Sequence, residues 1–188
     1  MALYQTKGII LKITPWGEVS QLFSIYTQAL GKVVAIGQGT KKITSKLNGH
    51  LQPLGIVDLL IASGKNFDKL AGAVLIKNFS NLKKNFRNII LANFSLELLD
   101  QLTEQKQPDD RIFDLLERYL TWLDKNNDIT KKSWAVAKNH FISELLRLLG
   151  YQPPAAVAQS SSQLDKMLKN HLNQELQVEN FLKKLVLD

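Results

Sequence analysis

The chain has 188 residues, of which 45% are apolar and 22% charged, so it can bury the core of one large or two small folded domains. It contains no cysteine, which excludes disulfides and thiolate zinc sites. Its first residues show no apolar segment followed by a cleavage site, and no stretch approaches the ~18 apolar residues of a membrane span, so we expect a cytoplasmic protein.

The formal charge of +7 is concentrated in the N-terminal part. Residues 1–80 contain nine lysines and three acidic residues, a net charge of +6, whereas the remaining 108 residues contain fifteen basic and fourteen acidic residues. Such asymmetry indicates a polyanionic partner, although a lysine-rich surface that serves only solubility is the alternative at this point.

The first 79 residues carry the alternating and β-branched patterns of strands. The predicted strands cover residues 7–13, 19–27, 32–37, 54–62 and 69–79, with turns at Pro15-Trp16-Gly17, Gly31-Lys32 and Ser63-Gly64-Lys65-Asn66. Five strands in about 75 residues without a long helix between them favour a small barrel over a parallel α/β sheet.

From Ser80 onward the apolar period becomes helical. The first predicted helix has Ser80 or Asn81 as its N-cap and ends near Thr103, the second begins at Pro108-Asp109-Asp110, and the third runs from about Lys131 to Gly150. The predicted buried stripes are Leu82, Phe86, Ile89, Ile90, Phe94, Leu98 and Leu102, then Ile112, Leu115, Leu116, Tyr119, Leu120 and Leu123, then Trp134, Ala137, Phe141, Leu145 and Leu148. Residues 80–188 are therefore predicted to form an α-helical bundle domain.

A break rich in small residues, PPAAVAQSSS, follows the third helix. Helical spacing resumes with Leu164, Leu168, Leu172, Leu176, Phe181, Leu182 and Leu185, interrupted near Asn173. We expect this tail to pack on the bundle, with binding in a partner's groove as the alternative.

Tests for catalytic and cofactor motifs are negative. Neither Gly-Lys pair is followed by the Ser or Thr of a phosphate-binding loop, and Lys42 stands where a dinucleotide fingerprint needs its third glycine. The three histidines, His50, His140 and His171, are isolated in the sequence. We expect no catalytic residue, no cofactor and no metal site.

The positive pattern is a basic barrel that contains aromatic residues. Proteins that bind single strands combine lysines along a groove with flat side chains that stack on bases. Lys41, Lys42 and Lys46 lie in the glycine-containing run GQGTKKITSK. The aromatic candidates are Tyr4, Trp16, Phe23, Tyr26 and Phe67, among which Trp16 is preferred because it adjoins a turn.

The order of short motifs along residues 4–153 resembles the RecO family of bacterial recombination mediators. The matching residues are Thr6-x-Gly8-Ile9-Ile10-Leu11-Lys12, Gly17-Glu18, Leu22, Thr27, Gly31-Lys32, Gly39-x-Lys41-Lys42, Ser45-Lys46, Leu51-Gln52-Pro53, Glu97-Leu98-Leu99, Pro108-Asp109, Phe113-x-Leu115-Leu116 and Glu144-Leu145-Leu146-x-Leu148-Leu149-Gly150-Tyr151-x-Pro153. Each motif alone is weak, and their common order makes the resemblance specific.

The resemblance implies an α+β fold with an N-terminal five-stranded OB-fold β-barrel (1–79) and an α-helical domain (80–188). It implies a protein of the nucleoid that binds single- and double-stranded DNA, anneals complementary strands and, with RecR, loads RecA onto strands coated with single-stranded DNA-binding protein (SSB). The expected DNA-binding residues are Lys7, Lys12, Trp16, Lys32, Gly39, Lys41, Lys42, Ser45 and Lys46. The acidic, Phe-ended tail of SSB is expected at basic residues of the helical domain such as Arg87, Lys131, Lys132 or Arg147.

Three departures from the family pattern limit this expectation. Many members carry a four-cysteine zinc module where PPAAVAQSSS stands, so zinc does not transfer; the tail is short; and Gln38 replaces a basic residue. The alternatives are an OB-fold RNA-binding protein, since phosphate attraction and stacking do not distinguish the sugars, and a nuclease, which needs clustered carboxylates that hold a metal. An anionic membrane surface is less favoured because the lysines fall among strands.

Overall fold

The computed structural model describes residues 2–126, 130–151, 161–172 and 174–178. The chain divides into two compact units, one formed by Met1–Asn78 with Thr103–Phe113 and the other by Phe79–Leu102 with Asp114–Asp188. We call Thr103–Phe113 the return segment, because the chain comes back to the first unit after leaving it. The sequence suggested a boundary after residue 79 and gave no sign of this return.

The first unit contains the predicted five-stranded barrel. Its strands are β1 (Leu3–Trp16), β2 (Ser20–Thr27), β3 (Gly31–Gly37), β4 (Gly55–Ala62) and β5 (Asp68–Asn78), and they close in the order β1-β2-β3-β5-β4. All neighbours are antiparallel except β3 and β5, which pair in parallel at Ala35–Asp68 and Ile36–Lys69. β1 is longer than the predicted 7–13. The prediction missed both ends of the strand because they are exposed and carry no apolar alternation.

The barrel core follows from the two-residue period of the strands. Its buried residues are Ile10, Phe23, Ile25, Val33, Ala35, Leu51, Val57, Leu59, Ile61, Leu70 and Ala73. A fully buried aliphatic or aromatic side chain of this kind contributes about 1.5–3 kcal/mol. Phe23 and Tyr26 are each only 1% exposed, so these two aromatic candidates serve packing and cannot stack on bases.

The return segment is hydrogen-bonded to the barrel through its backbone. The N–H of Lys106 donates to the carbonyl of Lys32 at 2.9 Å, and the hydroxyl of Tyr26 donates to the carbonyl of Asp109 at 3.3 Å. The Lys106 ammonium also lies 3.5 Å from the buried Asp68 carboxylate. The segment therefore gives partners to polar groups on β2, β3 and β5.

Gly31 is the residue that lets the return segment approach. Its φ is +67°, and a Cβ placed there would lie 2.2 Å from the carbonyl oxygen of Gln107. Both the left-handed backbone and the close approach require glycine at this position.

The second unit is helical. Its helices within the described residues are a short 3-10 turn (Leu82–Lys84), α1 (Phe86–Leu102), the main part of α2 (Asp110–Lys125), α3 (Lys131–Leu148) and α4 (Ser161–His171). The five-stranded barrel and the helices that follow it agree with the predicted α+β class.

The predicted N-cap at Ser80 or Asn81 is wrong. The side-chain oxygen of Asn85 accepts the N–H groups of Arg87 and Asn88 at 3.0 and 3.2 Å, so Asn85 caps α1. The N–H groups of Asn81 and Leu82 instead donate to Asp124 of α2, both at 2.9 Å. A carboxylate more than forty positions away in the chain satisfies the preceding turn, which local sequence could not show.

The predicted apolar stripes are confirmed for α2, where all six residues are buried. Helix α1 differs, because buried residues occur all around it and Phe86, a predicted stripe residue, is 56% exposed. In the tail, Leu164, Leu168 and Leu176 are buried, which confirms packing on the bundle. Both carboxylate oxygens of Glu97 also accept backbone N–H groups, from Gln177 at 2.6 Å and Val178 at 3.1 Å. Residues 152–160, within which most of the PPAAVAQSSS break falls, and the stripe residues Phe181, Leu182 and Leu185 lie outside the described residues.

No helix in the described ranges combines the length and the apolar character needed to cross a membrane.

Gly31→Ala should lower the free energy of unfolding by about 3 kcal/mol, since it adds a backbone clash to the strain of a positive φ. Gly17→Ala is the matched control, because Gly17 has φ +64° and no atom lies within 4 Å of the position that an alanine methyl would take there. It should cost only the strain, about 1 kcal/mol. Urea denaturation of both variants measures the difference, and equal losses would contradict the role given to the return segment.

Tyr26 should make stability depend on pH in alkaline solution. Burial, followed by the nearby Asp109 carboxylate, raises the pKa of Tyr26 from 10.0 to about 12. Its stabilising effect is complete below pH 10, where the unfolded chain is also protonated, and is lost as the pH rises through 12. Between these values wild type should lose about 2 kcal/mol more than Tyr26→Phe, which has no phenol to ionise. Urea titrations at pH 9 to 12 test this, and parallel curves would contradict it.

Candidate nucleic-acid interface

Three connections meet at one end of the barrel, which we call the loop end: the turn 17–19, the loop 38–54 and the turn 63–67. The N–H of Lys41 donates to the carbonyl of Val19 at 3.0 Å, and the N–H of Gly39 donates to the hydroxyl of Ser20 at 3.2 Å. The rings of Trp16 and Phe67 bring the third connection to the same place. Loops at this end of an OB-fold flank the face that binds oligonucleotides.

The aromatic pair at the loop end is partly open to solvent. Trp16 is the last residue of β1 and is 45% exposed, and its ring lies edge-to-face on Phe67 with centroids 5.2 Å apart and planes at 67°. The contact fixes the indole, and the exposed fraction leaves ring surface for a planar base. Phe67 thus holds in place Trp16, the aromatic residue that the sequence favoured for stacking.

The basic loop, residues 38–50, is a series of turns anchored at both ends. Gly39 adopts φ +65°, and the buried hydroxyl of Thr40 donates to the carbonyl of Gly37 at 3.0 Å. At the other end Leu47 packs on the barrel core, and the imidazole Nδ1 of His50 accepts the N–H of Leu75 at 3.2 Å. The backbone of the loop is therefore fixed at both ends without a regular element.

The lysines of the basic loop differ in what holds them. The ammonium of Lys41 donates to the carbonyl of Gly17 at 2.9 Å, which ties it to the first turn. Lys42 and Lys46 are exposed, and Ser45 between them is half-buried. Lys12 is exposed on β1 and lies four residues before Trp16. Because side chains alternate along a strand, Lys12 and Trp16 lie on the same face of β1. Among the predicted residues, the structure therefore brings Gly39 and Lys41 to the turn that follows Trp16.

Two sequence-predicted lysines lie elsewhere. Lys7 is exposed on β1 opposite Asp58, in a depression that Asp110 also lines. Asp58 accepts a hydrogen bond from Gln5 at 2.8 Å, so this area carries mixed charge. Lys32 is half-buried on β3, where its carbonyl pairs with the return segment. Both therefore lie away from the loop end.

Sequence reasoning did not select Lys65 and Lys69, which are exposed on either side of Phe67. The predicted turn Ser63-Gly64-Lys65-Asn66 contains Lys65, and the predicted strand 69–79 begins at Lys69, but only barrel closure brings that turn to Trp16. The nearby carboxylate of Asp68 is buried, accepts the N–H of Gly64 at 3.2 Å and pairs with Lys106. Its charge is thus internally compensated and does not oppose the lysines.

The residues predicted to meet a protein partner are scattered in the helical unit. Arg87 is exposed in the first turn of α1, and Arg147 is ion-paired with Glu144 at 2.9 Å. Lys131 and Lys132 begin α3, and their side chains lie outside what the structure describes.

A groove of about 790 Å³ lies between α2 and α3 in the helical unit. Its apolar lining includes Trp122 and Val136, which are 40% and 63% exposed. Arg118 and His140 add polar groups, and Tyr119 lines the groove with a buried hydroxyl that has no partner within the described part of the chain. Burial raises the pKa of Tyr119, so this hydroxyl remains a hydrogen-bond donor. Such a groove suits an apolar side chain.

The described residues contain no group of three or more His, Asp or Glu side chains placed to hold a metal ion.

Two family models match the chain. The one described as "Recombination protein O N terminal" matches residues 1–79, and "Recombination protein O C terminal" matches residues 83–157.

Curated relatives agree with these matches. A DNA repair protein RecO of Dehalococcoides mccartyi is 29% identical over 150 residues, which cover 80% of this chain and 57% of the relative. Proteins of the same name from Cyanothece sp. and Rubrobacter xylanophilus are 32% and 29% identical, covering 65% and 81% of this chain and 42% and 60% of their own. The chain therefore spans about half the length of the curated relatives it matches.

Proposed function

This chain belongs to the recombination protein O (RecO) family, and on that premise we propose that it is a DNA-binding recombination mediator in DNA repair. It binds single- and double-stranded DNA at the loop end of the barrel and anneals complementary strands. The observation that carries the proposal is the meeting of the Trp16–Phe67 pair with the basic loop, whose Lys41 donates to the carbonyl of Gly17, next to Trp16.

The physical account of binding has two parts. Lysine ammonium groups replace counterions condensed on the phosphates, which gives affinity without sequence preference. An exposed indole stacks on a base of any sequence and contributes about 1–3 kcal/mol. Annealing follows when two strands are neutralised on one basic surface, because their mutual repulsion falls while their base edges stay free to pair.

The proposed partners follow from the same premise. Together with RecR the protein loads RecA onto SSB-coated strands, and it does so without catalysing a covalent step, within the nucleoid. The groove between α2 and α3 supports a site for the acidic, Phe-ended tail of SSB, since Trp122 and Val136 provide apolar contact and Arg118 a positive charge. Glu144 also lines this groove, and its carboxylate is paired with Arg147 at 2.9 Å.

The loop-end lysines should govern the salt dependence of binding. Lys42→Ala/Lys46→Ala should reduce the slope of log affinity against log salt by about 1.4 for single strands, about 0.7 for each phosphate that is no longer neutralised. Lys7→Ala/Lys32→Ala removes the same charge from residues outside the loop end and should change the slope far less. Fluorescence anisotropy with a labelled oligonucleotide at several salt concentrations gives both slopes. A larger effect in the second variant would refute the placement, and tighter binding of matched RNA would favour the RNA-binding alternative.

The groove should matter only when strands are coated. In annealing of complementary oligonucleotides, Trp122→Ala should leave the rate on naked strands unchanged and lower the rate on SSB-coated strands about tenfold or more, as loss of a central aromatic anchor does. Phe86→Ala is the control, because Phe86 is an exposed aromatic residue of α1 outside the groove. Wild type that anneals neither naked nor coated strands, with or without RecR, would contradict the mediator function itself.

A further inference from the structure

Ile43 is a fully exposed apolar residue among lysines. Its exposed fraction is 101%, the highest among the exposed large apolar residues of the described structure. Lys41 and Lys42 precede it and Lys46 follows it. A side chain this exposed contributes no burial to the folding of the barrel.

The position of Ile43 is set by the turns around it. The N–H of Ser45 donates to the carbonyl of Lys42 at 2.9 Å, which makes Ile43 the first corner residue of a four-residue turn. The preceding residues are fixed by the buried Thr40, and the following ones by Leu47 on the barrel core. Ile43 therefore lies in a turn of the basic loop whose two ends are anchored, and its side chain extends into solvent.

Isoleucine is an unusual choice at this corner. Such positions favour proline and small polar residues, and a residue that breaks a local rule without a packing gain marks a candidate functional position. The neighbouring lysines would hold phosphates on either side of it. An isoleucine cannot bind a phosphate or a base edge, but its aliphatic side chain can pack on the face of a base, as apolar wedges do in other proteins.

We propose that Ile43 is a wedge that inserts beside a base of single-stranded DNA held by the basic loop and separates it from its neighbour. A single strand is the occupant because its bases are unpaired and splay at little cost. This inference rests on the proposed DNA-binding function and adds the residue that contacts bases from the loop.

The test uses the full chain and an oligonucleotide with one 2-aminopurine, whose emission rises when it is unstacked. Wild type should raise the emission. Ile43→Ser should abolish most of the rise and weaken binding about fivefold, the loss expected when about half of an isoleucine side chain returns to water, with an unchanged salt slope. Ile43→Leu should retain both effects. Val74→Thr is the control, since Val74 is an exposed aliphatic residue of β5, 59% exposed, outside the basic loop.

The outcomes distinguish failure of the wedge from failure of the proposed DNA-binding function. If Ile43→Ser binds as tightly as wild type with the same emission, or if it changes the salt slope, the wedge is wrong while DNA binding stands. An equal loss in Val74→Thr also overturns it. If wild type binds no DNA, the proposed function fails and the wedge fails with it. Because the side chain of Ile43 is not buried, unfolding does not confuse the comparison.

Discussion

The barrel is closed by the pairing of β3 with β5. In the described structure this pairing covers only two residue pairs, Ala35–Asp68 and Ile36–Lys69. A joint this short leaves backbone groups of β3 and β5 without strand partners, and unpaired sheet edges are costly when buried and prone to association when exposed. Both sides of the joint are completed by other segments. The return segment pairs with Lys32 on β3, and the imidazole of His50 accepts the N–H of Leu75 on β5.

This requirement explains why the basic loop is anchored to the barrel at both ends. Its last residue completes the sheet, and Leu47 and Leu51 enter the core, so the lysines between Gly39 and Leu47 are held by the same contacts that close the barrel. Loops usually carry function because a rigid scaffold positions them. Here the loop is also part of that scaffold, which limits how far its anchoring residues can change without loss of the fold.

The net charge of the N-terminal residues indicates a polyanionic partner but does not show how the lysines are arranged. Net charge does not distinguish the nine lysines, yet Lys7 lies opposite Asp58, Lys32 pairs with the return segment through its carbonyl, and Lys42 and Lys46 are exposed in the basic loop. Strands, barrel and the stripe of α2 were predictable because they depend on local periodicity. Other features were not predictable. The Asp124 contacts, the return segment and the Trp16–Phe67 pair each join residues far apart in the chain. The cap at Asn85 competed with an equally good local signal at Ser80 and Asn81.

The return segment also bears on how the protein is made. Synthesis runs from the N-terminus, and domains generally fold as units while the chain emerges. The five strands are complete at Asn78, but the partners of Tyr26 and Lys32 arrive only with residues 105–109, after α1 has been synthesised. These partners are therefore synthesised about thirty residues after β5, roughly two to six seconds later at ordinary elongation rates. Translation speed and chaperone protection across α1 become part of how this fold is reached.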